Sequence, residues 1–461
     1  EGHPDRALRG RDLPLLSEAP GATRPRGAGV ASVRICVTWL AKRRGAVHHA
    51  PGRFSQLFMT ASFDLLLRNV RPLGAPATDL LVREGRIAEL GAGLVPPPGC
   101  AVEEGGGALL LPGLVESHTH LDKTMWGLDW YRNEVGPRLT DKIENERAFR
   151  AASGHDAGAQ SMKLALAFLA LGTTRIRTHV DVDTEAGLRH LEGVVRTRES
   201  LRDRQEIQIV AFPQSGLLGR PGTEALLDQA LAAGADVLGG LDPCAIDNDP
   251  VRSLDVLFAM AERHGKPLDI HLHEPGAMGA FSLGLILDRT EAHGLHGKVA
   301  ISHGFCLGDV GAAERDALLA RMARLGVVLV TSAPPSRAVP PLAACRAAGV
   351  VLAGGNDGIR DTWSPYGKPD MLERAMLIGL RYNLRRDDEL ALALECVTSA
   401  GARACAFDVY GLAPGCRADL VLVDAQTVAQ AVVERPVRRL VVSGGRVVAR
   451  QNSLVPEAAR A

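Results

Sequence analysis

The feature that most restricts the fold of this chain is a repeated alternation of short apolar runs with longer helical stretches. Eight runs are rich in leucine or β-branched residues: ALLLPGLVES, TTRIRTHVDV, IQIVAFPQ, DVLGGLD, LDIHLHE, VAISHGF, VVLVTSAP and VVLAGGND. Helical stretches such as EALLDQALAAGA and SLDVLFAMAERHG separate most of them. Such alternation predicts a parallel sheet, and eight repeats favour a closed (β/α)8 barrel of the TIM type over an open doubly wound sheet.

The segments that flank this region on both sides show short strand patterns without helical spacers. FDLLLRNV and TDLLVREGRIAEL near the start, and ADLVLVDA and RRLVVSGGRVVAR near the end, predict short strands with turns at Glu84-Gly85 and Gly444-Gly445. Because chain termini often lie close together, we expect one small β-sandwich built from residues 59–112 and 408–461, beside a barrel formed by residues 113–407. The long connection after the first barrel run, residues 125–170, is expected to carry the helix TDKIENERAFRAA and to cover the barrel mouth.

Residues 1–58 differ from the rest in composition. They contain nine arginines and one lysine against four acidic residues, and they show no sustained periodicity. We expect this segment to be disordered and to lie outside the functional fold. An arginine-rich organellar transit peptide is the alternative.

The overall composition argues against several classes of partner. Lys plus Arg and Asp plus Glu are both 53, so the charge balance gives no electrostatic case for binding nucleic acid or an anionic membrane. No apolar run approaches 18 residues, so no transmembrane helix is expected.

Eight cysteines without a C-x-x-C motif predict reduced thiols, and the missing P-C-x-x-C argues against a small zinc cytidine deaminase. We expect a cytoplasmic protein that acts on a small molecule and forms a homo-oligomer.

Polar residues concentrate where the barrel runs end, and this is where a (β/α)8 barrel carries its active site. Histidines end four different runs. The end residues are His118 and His120; His179, Asp181 and Asp183; Gln214; His271, His273 and Glu274; His303; and Asp357.

A metal site is the chemistry that these residues favour. His118 and His120 are two positions apart on a strand, so their imidazoles point to the same side. Three imidazoles and one carboxylate leave room on a divalent ion for a water that ionises near neutral pH and attacks an electrophilic carbon. His271 and His273 compete for the third imidazole, and their spacing does not separate them. His179 is close in sequence to another strand end, and it could support the metal ligands from behind rather than bind the ion itself.

The motifs LPGLVESHTHLDK, RIRTHVDVD, QIVAFPQSG, DIHLHE, AISHG and GGNDGIRDTWSPYG resemble, in this order, the amidohydrolase superfamily and its bacterial cytosine deaminase-like branch. The resemblance covers about residues 63 to 450. It implies a (β/α)8 barrel with a flanking β-sandwich and one divalent metal ion, zinc or iron. The implied ligands are His118, His120, His271 and Asp357. The implied acid/base residues are Glu274, as the proton shuttle, and His303, with Asp357 also counted as catalytic. The implied substrate contacts are Gln214 and Trp363, to which we add Lys123 and His179.

Two positions depart from the cytosine deaminase pattern. The metal aspartate of those enzymes is followed by a second aspartate that helps to read the pyrimidine, but Asp357 is followed by Gly358. Lys123 stands where a small polar residue is usual. We expect Gly358 to open space beside the metal and Lys123 to favour an anionic or strongly oxygenated ring. The alternative for Lys123 is an ion pair with a nearby acid such as Asp122 or Glu116, in which case it does not meet the substrate.

The leading functional hypothesis is a metal-dependent hydrolase of a non-peptide carbon–nitrogen bond in a small cyclic compound. Deamination of a pyrimidine- or triazine-like heterocycle is placed first. Release of an alkylamine from an N-substituted ring, or hydrolysis of a cyclic amide, is the alternative. A binding protein that has lost catalysis would lack a ligand or Glu274, and neither is missing.

Overall fold

A computed structural model describes residues 64–459. The expectation of disorder for residues 1–58 lies outside the described residues. The strands, in chain order, are β1 (Leu65–Pro72), β2 (Thr78–Arg83), β3 (Arg86–Gly91), β4 (Ala101–Pro112), β5 (Leu114–Thr119), β6 (Thr173–Asp181), β7 (Glu206–Phe212), β8 (Val237–Leu241), β9 (Leu268–Leu272), β10 (Val299–His303), β11 (Val328–Thr331), β12 (Leu352–Gly354), β13 (Leu420–Val423), β14 (Arg438–Ser443), β15 (Arg446–Arg450) and β16 (Ser453–Leu454).

The helices of the described region surround the barrel strands or connect to the second sheet. They are α1 (Leu139–Ser153), α2 (Ala157–Ala170), α3 (Arg189–Leu201), α4 (Thr223–Ala232), α5 (Pro250–His264), α6 (Gly276–Ala292), α7 (Cys306–Asp309), α8 (Ala312–Leu325), α9 (Leu342–Ala348), α10 (Met371–Arg381), α11 (Asp387–Cys396), α12 (Ser399–Ala404), α13 (Val428–Glu434) and α14 (Pro456–Ala459).

Strands β5 to β12 form one parallel sheet in which each strand lies beside its neighbours in the sequence. The eight predicted runs coincide with these eight strands, so the predicted (β/α)8 barrel is confirmed. The first and last strands meet because the Asp357 N–H donates a 2.8 Å hydrogen bond to the His118 carbonyl. Gly355 allows this closure, since a Cβ at that position would lie only 2.6 Å from the Cβ of His118.

The barrel core lies between the strands and the helices that follow them. Leu164 and Phe168 of α2, Leu191 of α3, and Phe258 of α5 are fully buried against it. These positions are the apolar faces of the Ala/Leu-rich stretches, so burial of one face fixes each helix against its strand. The long connection contains α1, which spans the predicted helix TDKIENERAFRAA.

The remaining eight strands form a second, mixed sheet in the order β16-β15-β14-β13-β4-β1-β2-β3. The two ends of the described chain meet where β4 pairs with β13 in antiparallel register. The run ALLLPGLVES was predicted as one strand but supplies two. Its first residues belong to β4 and the rest to β5, because Gly113 makes the corner where a Cβ would overlap the Thr174 hydroxyl.

Both predicted hairpin turns are present in this second sheet. Glu84 and Gly85 have φ of 50° and 75°, and Gly444 and Gly445 have φ of 53° and 81°. The two turns touch, because a Cβ on Gly85 would lie 2.9 Å from the Gly444 carbonyl oxygen. Positive φ and close backbone approach together explain why glycine occurs in both turns.

No helix in the described part of the chain is long and apolar enough to cross a membrane. The seven described cysteines are free thiols, as expected, and Cys306, Cys345, Cys396 and Cys405 are buried.

Candidate active site

Imidazoles from four barrel strands lie side by side at the carboxyl end of the barrel. His118 is the next-to-last residue of β5 and His120 follows that strand, while β6, β9 and β10 supply His179, His271 and His303. The His118 ring centroid lies 4.1 Å from that of His179, 4.6 Å from His271 and 5.0 Å from His303. Parallel strands thus bring together histidines that are far apart in the sequence.

The carboxylate of Asp357 completes this cluster on its open side. Its Oδ1 lies 3.3 Å from His120 Nε2 and 3.5 Å from His118 Nε2, and its Oδ2 lies 3.9 Å from His303 Nε2. The Asp357 side chain is 37% exposed, whereas the side chains of these three histidines are at most 4% exposed. Asp357 is therefore the most solvent-exposed of these four side chains.

A buried hydrogen-bonded clamp holds Asp357 next to His118. Glu116 Oε1 accepts 3.0 Å hydrogen bonds from the backbone N–H groups of His118 and Asn356. The Asn356 side chain donates to Glu116 Oε2 at 2.6 Å. Burial raises the pKa of Glu116 to about 7, although these hydrogen bonds oppose the shift. Asp357 and His303 have φ of 63° and 74°, and such positions in non-glycine residues persist where surrounding contacts enforce them.

The ring nitrogens provide a test of whether this cluster fits a metal ion. His118 Nε2, His120 Nδ1 and both ring nitrogens of His179, His271 and His303 are buried without a hydrogen-bond partner among the described residues. Buried polar atoms are nearly always paired, so this many orphaned nitrogens around one point indicate a missing partner. The ligand atoms of His118, His120 and Asp357 lie within 4.8 Å of one another, and so do those of His118, His179 and His271. The donor set therefore fits a divalent cation.

The protonation states suit this interpretation. Burial lowers the pKa of His120, and it lowers the pKa values of His271 and His303 well below the usual range. These rings are therefore neutral, which is the form that binds a metal. Burial alone would raise the pKa of Asp357, but the imidazoles of His118 and His120 beside its carboxylate hold that pKa well below its usual range.

A chain of buried side chains behind His118 fixes its orientation. The hydroxyl of Ser302 lies 2.7 Å from His118 Nδ1 and donates to Asp269 Oδ1, also at 2.7 Å. Arg177 donates to the other oxygen of Asp269 at 2.9 Å. Because Nδ1 is used in this way, Nε2 is left for the centre of the cluster, as in many metal sites. Neither Ser302 nor Asp269 was predicted as a site residue, since both lie inside strands rather than at the strand ends.

His271 and His273, the two candidates for the third imidazole, lie in different environments. His273 Nδ1 lies 2.7 Å from Asp242 Oδ2, and the His273 N–H donates to Asp242 Oδ1 at 2.6 Å. Burial opposes protonation of His273, but Asp242 outweighs it and raises the pKa. His271 is instead neutral and lies among the other rings. This arrangement favours His271 as the ligand, while His273 stacks on His303 at 4.2 Å.

His179 occupies a different place from the one expected of a substrate contact. Its side chain is completely buried, and it lies within coordination distance of His118 and His271 on the closed side of the cluster. Asp269 Oδ2 lies 3.8 Å from His179 Nε2. A substrate that enters past Asp357 would meet the other rings first, so the alternative role behind the ligands suits His179 better.

Glu274 is already engaged in hydrogen bonds within the protein. Its Oε1 accepts from the backbone N–H groups of Cys244 at 2.7 Å and Ala245 at 2.8 Å, and its Oε2 accepts from the Ser282 hydroxyl. Burial raises its pKa, whereas the bond from Ser282 opposes the shift. The proton-shuttle role stays a prediction, and these three donors offer a structural role that competes with it.

Three of the predicted substrate contacts lie together beside the histidine cluster. The Lys123 ammonium donates to Gln214 Oε1 at 2.5 Å and lies 5.4 Å from the centroid of the Trp363 ring. It is 6% exposed and close enough to His120 to help lower the pKa of that ring. Lys123 therefore points inward.

Lys123 forms ion pairs with nearby acids, as its alternative expects, but these are not the two acids given as examples. Lys123 Nζ lies 3.4 Å from Asp181 Oδ1 and 3.4 Å from Glu146 Oε1. Asp122 instead accepts from His190 at 2.8 Å, and Glu116 belongs to the clamp described above. Burial alone would lower the pKa of Lys123, but the carboxylates of Asp181 and Glu146 raise it, so the amine stays protonated.

A buried ionic network surrounds this lysine, and most of it was not predicted. Arg150 of α1 donates to Asp181 Oδ2 at 2.5 Å and to Asp183 Oδ2 at 2.8 Å. Glu146, on the same helix, accepts from Trp363 Nε1 at 2.9 Å. The only available signal was the placement of α1 over the barrel mouth, because its charged residues look like an ordinary solvated face.

The space expected beside Gly358 is not open. A Cβ on Gly358 would overlap the carboxylate of Asp361. Asp361 Oδ1 accepts from the backbone N–H groups of Trp363 at 2.8 Å and Ser364 at 2.9 Å. The expectation was therefore wrong, because a carboxylate three residues further along the loop fills the gap.

Comparison with known proteins agrees with this geometry. The chain matches the Amidohydrolase family over residues 104–449. An N-isopropylammelide isopropyl amidohydrolase of Pseudomonas sp. (strain ADP) is 30% identical over 417 residues, which are 86% of this chain and 100% of that protein.

Two solved structures are also similar. N-isopropylammelide isopropylaminohydrolase from Burkholderia multivorans ATCC 17616 is 68% identical, with a TM-score of 0.84 over 85% of this chain and 100% of that chain. The 5-methylcytosine deaminase from Klebsiella pneumoniae, liganded with 5-fluorocytosine, is 25% identical, with a TM-score of 0.75 over 84% of this chain and 97% of that chain.

The family match covers more than half of the chain, and the sequence resemblance is thereby confirmed. Amidohydrolases and deaminases hydrolyse carbon–nitrogen bonds other than peptide bonds, and this protein is an enzyme of that class. The chain belongs to the amidohydrolase family.

Proposed function

We propose that this enzyme releases the alkylamine from an N-alkylated hydroxytriazine such as N-isopropylammelide. The observation that carries the proposal is the 68% identity, over the full length of that chain, to N-isopropylammelide isopropylaminohydrolase. Alkylamine release was the second of the two hydrolytic hypotheses from the sequence, and the relatives now favour it over simple deamination. In this reaction water adds its oxygen to the ring carbon, the exocyclic C–N bond breaks, and the leaving nitrogen takes up a proton.

We further propose that His118, His120, His271 and Asp357 hold one divalent ion, zinc or iron. The orphaned ring nitrogens and the low pKa of Asp357 support this set. When bound, the ion lowers the pKa of the attacking water and polarises the ring carbon. His179 is the alternative imidazole, since it lies within coordination distance of His118 and His271.

His303 is proposed to accept the proton of the attacking water. Its Nε2 has no hydrogen-bond partner in the described region and lies 3.9 Å from Asp357 Oδ2. Stacking against His273 holds the ring in place. Glu274 is proposed to pass a proton to the leaving nitrogen, which requires one of its present donors to give way. His303 fits its role without such a change, so it is the stronger of the two acid/base candidates.

Lys123, Gln214 and Trp363 are proposed to bind the ring. A hydroxytriazine carries electron-rich oxygens, and the attraction between such an oxygen and an ammonium is stronger at a buried site than in bulk water. Trp363 offers an aromatic face beside that ammonium. Gln214 fixes the lysine by accepting its shortest hydrogen bond.

Deamination of a cytosine-like ring is the second candidate. The similarity to 5-methylcytosine deaminase supports it, at 25% identity. The residue after the metal aspartate argues against it, since Gly358 lacks the carboxylate that reads the pyrimidine in cytosine deaminases.

Steady-state kinetics on the metal-loaded protein would test the proposal. N-isopropylammelide, ammelide and cytosine are compared, with isopropylamine measured for the first and ammonia for the other two. We expect kcat/KM to be highest for N-isopropylammelide and lowest for cytosine. A kcat/KM for cytosine at or above roughly 10⁵ M⁻¹s⁻¹, within the range of well-adapted enzymes, would overturn the assignment in favour of deamination.

A further inference from the structure

Glu146 is a buried acid that neither the sequence motifs nor the proposed mechanism uses. It lies in the middle of α1 and is 1% exposed, while its neighbour Glu144 has a side chain that is 59% exposed. A glutamate is almost never fully buried unless its charge is paired. Its environment should therefore show why it is retained.

Only one of the two carboxylate oxygens of Glu146 accepts a hydrogen bond from a described residue. Oε2 accepts the hydrogen bond from Trp363 Nε1, at 2.9 Å. Oε1 is buried and has no hydrogen-bond donor among the described residues, although Lys123 Nζ lies 3.4 Å away. Leaving such an acceptor unpaired is costly, so a ligand that donates to it would gain affinity.

The Lys123 ammonium beside Glu146 Oε1 has an N–H donor available for a further hydrogen bond. Lysine offers three N–H donors. In the described region Lys123 directs them to Gln214 Oε1, at 2.5 Å, and more weakly to Asp181 Oδ1, at 3.4 Å. One donor thus stays available next to the free oxygen of Glu146, above the face of Trp363.

We propose that Glu146 is a specificity-determining residue that reads a ring N–H of the substrate, while Lys123 binds the ring oxygen next to that N–H. The ligand class is a heterocycle with an adjacent C=O and N–H, as in a cyclic imide or a hydroxytriazine in its keto form. The inference rests on the proposed function, because it concerns the substrate of the same site. It adds a residue from the α1 connection to a site otherwise built from strand ends.

A purely structural role for Glu146 makes a different prediction. In that case the carboxylate only anchors α1 through Trp363, and any acceptor at position 146 would suffice. Glu146→Gln separates the two roles. The indole N–H of Trp363 needs an acceptor, so the amide should turn its oxygen towards Trp363 and its NH₂ towards the ligand. The variant keeps the anchor but presents a donor where the ring N–H requires an acceptor.

The experiment measures binding and turnover for the metal-loaded wild type, Glu146→Gln and the control Glu144→Gln. Glu144 lies on the same helix, pairs with Arg220 and does not touch the cluster, so its variant controls for charge on α1. The binding probe is cyanuric acid, a ring of alternating C=O and N–H groups, compared with its N,N′,N″-trimethyl derivative by calorimetry. The turnover substrate is N-isopropylammelide.

We expect Glu146→Gln to weaken cyanuric acid binding and to raise the KM for N-isopropylammelide by about 10²-fold, the worth of a hydrogen bond to a charged group. Its preference for cyanuric acid over the trimethyl ring should collapse, whereas Glu144→Gln should match the wild type. Equal binding by Glu146→Gln and the wild type would overturn the inference. Absence of turnover by the wild type would reject the proposed function instead, and the calorimetric comparison would still decide the role of Glu146.

Discussion

The carboxylate of Asp361 occupies the space that a side chain at Gly358 would need. Asp361 is 3% exposed, and two backbone N–H groups hold its Oδ1. Burial raises its pKa, while Lys123 opposes the shift, so the carboxylate and the lysine act on one another across the mouth of the site. Asp361 therefore fills the position beside Gly358 with a carboxylate that comes from three residues further along the loop.

This relationship predicts the result of restoring that acid. Gly358→Asp should push Asp361 from its place, lower kcat/KM for N-isopropylammelide and destabilise the protein by roughly 1–3 kcal/mol, the usual cost of overpacking. Gly284→Ala is a control, since nothing lies within 4 Å of a Cβ at that helical position. Thermal unfolding and steady-state kinetics measure both effects. An unchanged Gly358→Asp enzyme would mean that Asp361 moves freely and does not shape the site.

The imidazoles give a second prediction, about metal content. His271→Ala should lose most of the bound metal, because His271 is neutral and its ring nitrogens have no other partner among the described residues. His273→Ala should retain the metal, because Asp242 holds that ring. Elemental analysis of both purified variants, beside a wild type with one ion per chain, measures this. The opposite pattern would assign the ligand role to His273, and two ions per wild-type chain would reject the mononuclear site.

The barrel and the histidine cluster could be predicted because each depends on local sequence pattern. Short apolar runs with helical spacers specify the barrel, and the strand-end rule then gathers His118, His271 and Asp357 whatever their separation in the sequence. Glu146 and Asp361 could not be predicted in this way. Their roles depend on how helix α1 and the loop after β12 lie over the mouth of the barrel, and a charged residue on a helix or loop is usually solvated.

Glu274→Gln tests the proton shuttle without removing the local hydrogen bonds. The amide oxygen can still accept from the Cys244 and Ala245 backbone, and the amide NH₂ can donate to the Ser282 hydroxyl. If Glu274 transfers a proton, the variant should keep its metal and lose activity by about 10²-fold or more. Metal analysis and kcat give the answer. Normal turnover would show that Glu274 is structural and that His303 manages both proton transfers.

Lys123→Met tests whether the buried ammonium binds substrate. The variant should raise the KM for the hydroxytriazine by about 10-fold or more, since a hydrogen bond from a charged donor is lost. Lys142→Met is the matched control, because Lys142 lies 5.8 Å from the same Trp363 ring but is only partly buried. Its removal should change KM little, as expected for a charge screened by solvent. An equal effect of both substitutions would mean that only the overall charge at the mouth matters.

The pKa of Glu146 predicts how stability depends on pH. Burial raises this pKa from 4.5 to about 7, with Lys123 and Arg150 opposing the shift and Asp181 and Asp361 reinforcing it. Between these two values the folded protein holds a proton that the unfolded chain has released, so stability falls as pH rises through this interval. Glu146→Gln does not titrate, so its free energy of unfolding should rise relative to that of the wild type between pH 5 and 8. The expected change is on the order of 1–3 kcal/mol.

Denaturant unfolding of metal-saturated protein across this range measures the difference, with Glu144→Gln as the control. Parallel pH profiles for Glu146→Gln and the wild type would show that Glu146 is ionised throughout, and that Lys123 fully compensates its burial.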